Sequence, residues 1–276
     1  MDYDWKYYMD DLKKGKSRII ITEENRTGAR LVMERSLAEQ RERMEKLVRN
    51  MLYDYRQQGK ERNALIEDAV RQHTAYCGQM TADEILKRRH NAIVYRYMMK
   101  TALHNRATAG KMGVSKETLA GDIKRAINEL VVMLFGVPAM AEVSESWSEA
   151  VKELFENVRL MKCGTQIRQT FVWREWEQER LQGRKKTEDV FGCIDKVVLM
   201  YEEYCENYLI TDMNAKFCLD VVRELYLNEN AKSVEDIAKE NNISLSPVYA
   251  YLRKAVERFA ELFEYMAMSE PGKTGK

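Results

Sequence analysis

Ser233-Val234-Glu235-Asp236-Ile237-Ala238-Lys239-Glu240-Asn241-Asn242-Ile243-Ser244-Leu245-Ser246-Pro247-Val248 is the stretch whose reading decides the fold. Ser233 through Asp236 can cap and start a short helix, with Ile237 and Ala238 on its inward face. Asn241-Asn242 tolerates the left-handed backbone that a tight turn demands. Ile243 then returns to the core and Ser244 caps a second helix. Val248, Leu252, Ala255, Val256 and Phe259 form the buried stripe of that helix at helical spacing, and Pro247 is tolerable in its first turn. The small Ala238 lets the two helices cross closely, which is the layout of a helix-turn-helix near residues 233–259. Leu245, Ser246, Tyr249, Ala250, Arg253 and Lys254 are left on the outward face, a mixture able to meet base edges and phosphates.

The pattern occurs twice. Val114-Ser115 stands 129 positions before Ile243-Ser244 (243 − 114), and at the same offset Leu119 falls on Val248, Ile123 on Leu252, Ala126 on Ala255, Ile127 on Val256 and Leu130 on Phe259. Ala109 takes the place of Ala238 and Gly113 occupies the turn, so a second unit is expected near 105–130. Its outward residues are Lys116, Glu117, Ala120, Gly121, Lys124 and Arg125, and Gly121 permits close approach to a phosphate backbone.

Tyr226-Leu227, then Ser233-x-x-Asp236-Ile237-Ala238, then Ile243-Ser244-x-x-x-Val248-x-x-x-Leu252-x-x-Ala255 resembles region 4 of sigma factors and the helix-turn-helix of phage late-gene regulators. The resemblance implies a sequence-specific, DNA-binding transcription regulator of phage or mobile-element origin, here with two tandem copies where many such regulators carry one. Double-stranded DNA is the implied partner, with RNA polymerase and a second copy of the chain as further candidates. The expected DNA-binding residues are Ser115, Lys116, Glu117, Ala120, Gly121, Lys124 and Arg125 in the first unit. In the second they are Ser244, Ser246, Tyr249, Ala250, Arg253 and Lys254. Lys116, Lys124, Arg125, Arg253 and Lys254 are assigned to phosphate, and Lys116, Glu117, Ser246 and Tyr249 to base edges. No counterpart of a promoter-melting region maps onto the chain.

Charge separates the two copies. The chain has 276 residues with a net charge of only +1, so any polyanion-binding surface must be local. Residues 81–130 hold ten Lys or Arg (87, 88, 89, 96, 100, 106, 111, 116, 124, 125) against five acids (83, 84, 117, 122, 129), a local +5. Residues 230–268 hold five (232, 239, 253, 254, 258) against six (235, 236, 240, 257, 261, 264), a local −1. Phosphate neutralisation supplies most non-specific affinity, so the first unit is expected to bind DNA more strongly, and the second to read bases weakly or contact protein.

Outward from these units the composition is helix-forming, with only three prolines. Periodic apolar residues from Glu23 to Gln58 predict one long amphipathic helix, and Thr81 with Glu84 has capping-box form at the start of a helix running to about His104. Arg18-Ile19-Ile20-Ile21-Thr22 is the one β-like run, and one strand makes no sheet. Gly136-Val137-Pro138 stops the first unit, giving an all-α chain of two helical domains, 1–137 and 138–268, joined near 136–146. Residues 269–276 have nothing to bury and are expected to be disordered. The basic and aromatic segment 159–186, with Phe171, Trp173 and Trp176, is read chiefly as core or partner-helix contact.

The five cysteines show no C-x-x-C pair and suit reduced thiols in cytoplasm. The N-terminus lacks a leader pattern and no stretch suits a membrane span. His73, His90 and His104 are read as solvated or capping residues, so no metal is expected. Gly272-Lys273-Thr274 has no phosphate-loop context and no catalytic arrangement stands out, so neither a cofactor nor an enzyme is expected. The alternatives are a DNA-packaging component of small-terminase type, or a helical scaffold that presents the acidic region 188–229 to a partner.

Overall fold

A computed structural model describes residues 3–33, 36–58, 64–79, 84–99, 101, 103–136, 146–169, 188–208, 212–228 and 230–269. The fold is all-α, and among these residues there is no strand. The helices are α1 (Tyr3–Lys13), α2 (Glu23–Met33), α3 (Ser36–Gln58), α4 (Ala64–Gln79), α5 (Glu84–Ile93), α6 (Asn105–Met112), α7 (Lys116–Phe135), α8 (Trp147–Arg168), α9 (Glu188–Tyr208), α10 (Ala215–Val222), α11 (Val234–Glu240) and α12 (Leu245–Met268). No described helix is long and apolar enough to cross a membrane.

The chain forms two compact units, and neither is contiguous in sequence. One comprises 35–141 and 157–185; the other comprises 1–34, 142–156 and 186–276. The expected single cut near 136–146 is therefore replaced by exchange of segments: 1–34 pack with the C-terminal repeat, and 157–185 with the N-terminal one. The predicted helix from Glu23 to Gln58 is likewise two helices, since α2 packs on α9 and α12 while α3 packs on α7 and α4. Apolar periodicity runs through both because each needs an inward stripe, whichever core receives it.

The N-terminal unit is built around α7, whose last six residues, Leu130 to Phe135, are fully buried. Val48 and Leu52 of α3, Ile66 and Ala69 of α4, Ala92 and Ile93 of α5 and Ile167 of α8 close on it. α8 approaches very tightly: a Cβ on Gly164 would lie 1.8 Å from the Met133 carbonyl oxygen, which also accepts from Arg168 Nη1 at 2.7 Å.

In the C-terminal unit Trp5, Tyr8 and Leu12 of α1 are buried, and Trp5 meets Tyr204 edge-on at 4.7 Å. The β-like run Arg18–Thr22 is irregular chain. Its Arg18 N–H donates to the Glu203 carboxylate at 3.1 Å, not to another strand, and Ile20 is exposed. Arg258, buried on α12, donates to Asp212 and to Tyr201 Oη (3.1 Å) and lies over the Tyr204 and Trp5 rings at 5.0 and 5.2 Å.

Candidate nucleic-acid interface

In the first repeat α6 ends at Gly113, whose φ of 66° is left-handed, and α7 starts after Ser115. In the second, α11 ends in Asn241-Asn242, with Asn242 at φ 53°, and α12 starts after Ser244. Glycine adopts this backbone without strain, and asparagine is the side chain that tolerates it best. The turns share their hydrogen bonds at the 129-residue offset. Val114 N–H donates to Ala109 O at 3.1 Å, as Ile243 N–H does to Ala238 O at 3.0 Å.

The repeat extends further upstream than the sequence motif suggested. α5 and α10 each end in a five-residue π-helical turn, Val94–Met98 and Arg223–Leu227, again 129 apart (223 − 94). Each turn is closed by a bond back five residues, Met99 N–H to Val94 O and Asn228 N–H to Arg223 O. In each, the chain then returns to the turn: Leu103 N–H donates to Tyr95 O, and Lys232 N–H to Glu224 O. The helix predicted to reach His104 thus stops at Met98, because Met99 turns to extended backbone (ψ 146°). His104 caps α6, its Nδ1 accepting from Ala107 N–H at 3.0 Å. The only trace of this in sequence was the recurrence of Tyr97-Met98 as Tyr226-Leu227.

Capping differs between the copies for a clear reason. Ser115 Oγ accepts from Thr118 N–H at 3.1 Å, three residues on. Ser244 occupies the same cap position, yet its side chain makes no cap bond, because three residues on stands Pro247, which has no N–H. α11 compensates with a full capping box between Ser233 and Asp236.

On α7, Lys116, Glu117, Ala120, Gly121, Lys124 and Arg125 are all exposed together with Ser115, and no atom lies within 4 Å of where a Gly121 Cβ would be. The Glu117 backbone N–H and the Ser115 hydroxyl hold the Glu117 carboxyl below the usual carboxylate range. Three of the basic residues counted around this helix are paired with counted acids: Arg88 clamps Asp122 (2.6 and 3.1 Å), Arg89 donates to Glu129 (2.9 Å) and Lys87 donates to Glu84 (3.0 Å). Setting these three pairs aside leaves seven basic residues against two acidic ones (10 − 3 and 5 − 3), and the local excess persists.

On α12, Ser244, Leu245, Ser246, Tyr249, Ala250 and Arg253 are exposed, with Leu245 at 42% and Tyr249 at 53%. Lys254 is half-buried, with Nζ 3.8 Å from Asp212 Oδ1. Asp212 lies just before α10, too far along the chain for a helical-spacing argument to pair it with Lys254.

His73 and His90, expected to be solvated or capping, are instead 1% and 9% exposed. Their Nδ1 atoms are 3.0 Å apart, and His73 Nε2 donates to Glu129 at 2.8 Å. The aromatic segment around Phe171, Trp173 and Trp176, the acidic stretch 142–145 and the tail from 270 lie outside the described residues. Comparison with protein-family models, with curated proteins and with solved structures returned no match.

Proposed function

We propose that the chain is a sequence-specific DNA-binding transcription regulator of the kind used by phages and mobile elements, with α7 as its principal DNA-contacting helix. The observation that carries this reading is the α7 surface. Lys116, Lys124 and Arg125 are exposed along one face, around an exposed glycine and alanine that leave room for a phosphate backbone. The helix is fixed from behind by Arg88 and Arg89, so that face is rigidly presented. Lys124 and Arg125 then supply phosphate contacts, and Lys116 and Glu117 lie where a recognition helix meets base edges.

α12 is the weaker DNA reader. It offers Arg253 as its exposed cation beside Leu245 and Tyr249, with Lys254 committed to Asp212. Exposed apolar area with little charge suits a protein partner such as RNA polymerase, and that is the second role we assign to it.

The test is retention of genomic fragments by the purified protein at two salt concentrations, followed by sequencing. A motif that survives the higher salt supports a regulator and gives its operator. Retention without a motif points to packaging or architecture, and no retention to a scaffold. Lys124→Ala with Arg125→Ala should weaken binding to all sequences and make the log–log salt slope shallower by about two; an unchanged slope removes the phosphate assignment.

A further inference from the structure

The side chains packed behind α7 carry a second chemistry. His73 and Cys77 are four residues apart on α4 and so share one face, and α5 brings His90 against them. One nitrogen of each imidazole and Cys77 Sγ all lie within 4.8 Å of one another, and all three residues are buried.

The Glu129 carboxylate fixes the tautomer of His73. His73 Nε2 is 2.8 Å from the Glu129 carboxylate, which can only accept, so the proton of a neutral His73 sits on Nε2. Thr74 Oγ1 lies 2.9 Å from Val70 O and 3.2 Å from His90 Nε2, so with its hydroxyl hydrogen on Val70 O it accepts from His90 Nε2–H. In that tautomer His90 also presents a bare Nδ1. The two Nδ1 atoms are 3.0 Å apart, a spacing that one imidazole proton or one metal ion between them can fill.

We propose that His73 Nδ1, His90 Nδ1 and Cys77 Sγ bind a divalent transition-metal ion of the zinc class. Two imidazole nitrogens, each about 2.0–2.1 Å from a tetrahedral ion, are separated by about 3.3 Å, close to the spacing found. A donor set of two imidazole nitrogens and a thiolate sulfur selects zinc over magnesium or calcium. Cys77 releases its thiol proton to bind as thiolate, and each imidazole binds neutral through Nδ1 with its proton on Nε2. Glu129 on the far nitrogen of His73 is the carboxylate that orients a metal-bound histidine and raises its basicity. The offset of 129 puts Glu202, Glu206 and Leu219 at the corresponding places of the other repeat, so the site belongs to the N-terminal unit alone. Because Glu129 is on α7, the ion would brace the helix that carries Lys124 and Arg125, but the assignment does not depend on DNA binding.

The experiment is titration of the chelator-treated full chain with cobalt(II), then zinc, with circular dichroism to verify folding. The expected result is one cobalt ion per chain with tetrahedral visible bands and a thiolate charge-transfer band, displaced by zinc, and a melting temperature raised by zinc. Cys77→Ser should abolish the charge-transfer band. Glu129→Gln should weaken zinc binding by about tenfold to a hundredfold, and Cys163→Ser should change neither. A folded wild-type chain that takes up no cobalt, or takes it up without the thiolate band, overturns the proposal and leaves the two histidines joined by a shared proton.

Discussion

Position 129 in the first repeat and position 258 in the second are equivalent, and both hold a buried charge of opposite sign. Glu129 is satisfied by Arg89 and His73; Arg258 is satisfied by Asp212 and Tyr201 and lies over aromatic rings. Each long helix is thus pinned at the same level by a different chemistry. Removing one partner from such a buried pair leaves the other charge desolvated and uncompensated, the costly case. Arg258→Leu should destabilise the C-terminal unit by about 3–5 kcal/mol in chemical denaturation. Arg258→Lys should recover little of that, because a single ammonium cannot serve Asp212, Tyr201 and the ring faces together. A loss below about 1 kcal/mol for Arg258→Leu would show that Lys254, already 3.8 Å from Asp212, is enough to compensate that carboxylate.

At the scale of elements, the two copies share backbone geometry closely while their caps differ. Ser115→Ala removes the acceptor of Thr118 N–H and should cost about 1 kcal/mol, within the range typical of N-cap serines. Ser244→Ala should cost close to nothing, since Pro247 leaves no N–H for that side chain to accept from. Equal losses in thermal melts of the two variants would contradict this. The turns, the short helices and the starts of α7 and α12 were all legible in the sequence, because turn residues and apolar spacing are local signals. The π-helical turns were not. An extra residue in a helical turn depends on how α5 and α10 meet the bonds from Leu103 and Lys232, which sequence spacing does not encode.

The molecule as a whole is assembled from discontinuous segments, and α1 with α2 belongs to the unit formed by the C-terminal repeat. Trp5, Tyr8 and Leu12, with Leu31 and Val32 of α2, fill that core, and Tyr265 Oη donates to Leu12 O at 2.8 Å. Deleting residues 1–34 should therefore abolish hydrogen-exchange protection in 190–208 and 245–268 while protection in 64–79 and 116–135 persists. Loss confined to the N-terminal repeat instead would refute the division of the chain.

The sequence by itself determined the helical class, the duplication at 129 residues, both tight turns and the outward residues of α7, because helical periodicity and left-handed turn residues act over a few neighbouring positions. The tertiary structure alone decided which core received α2 and which α3, that Lys254 faces Asp212, and that His90 closes on His73 and Cys77. Those outcomes join residues with no fixed separation along the chain, and only the packing of whole helices against one another selects them.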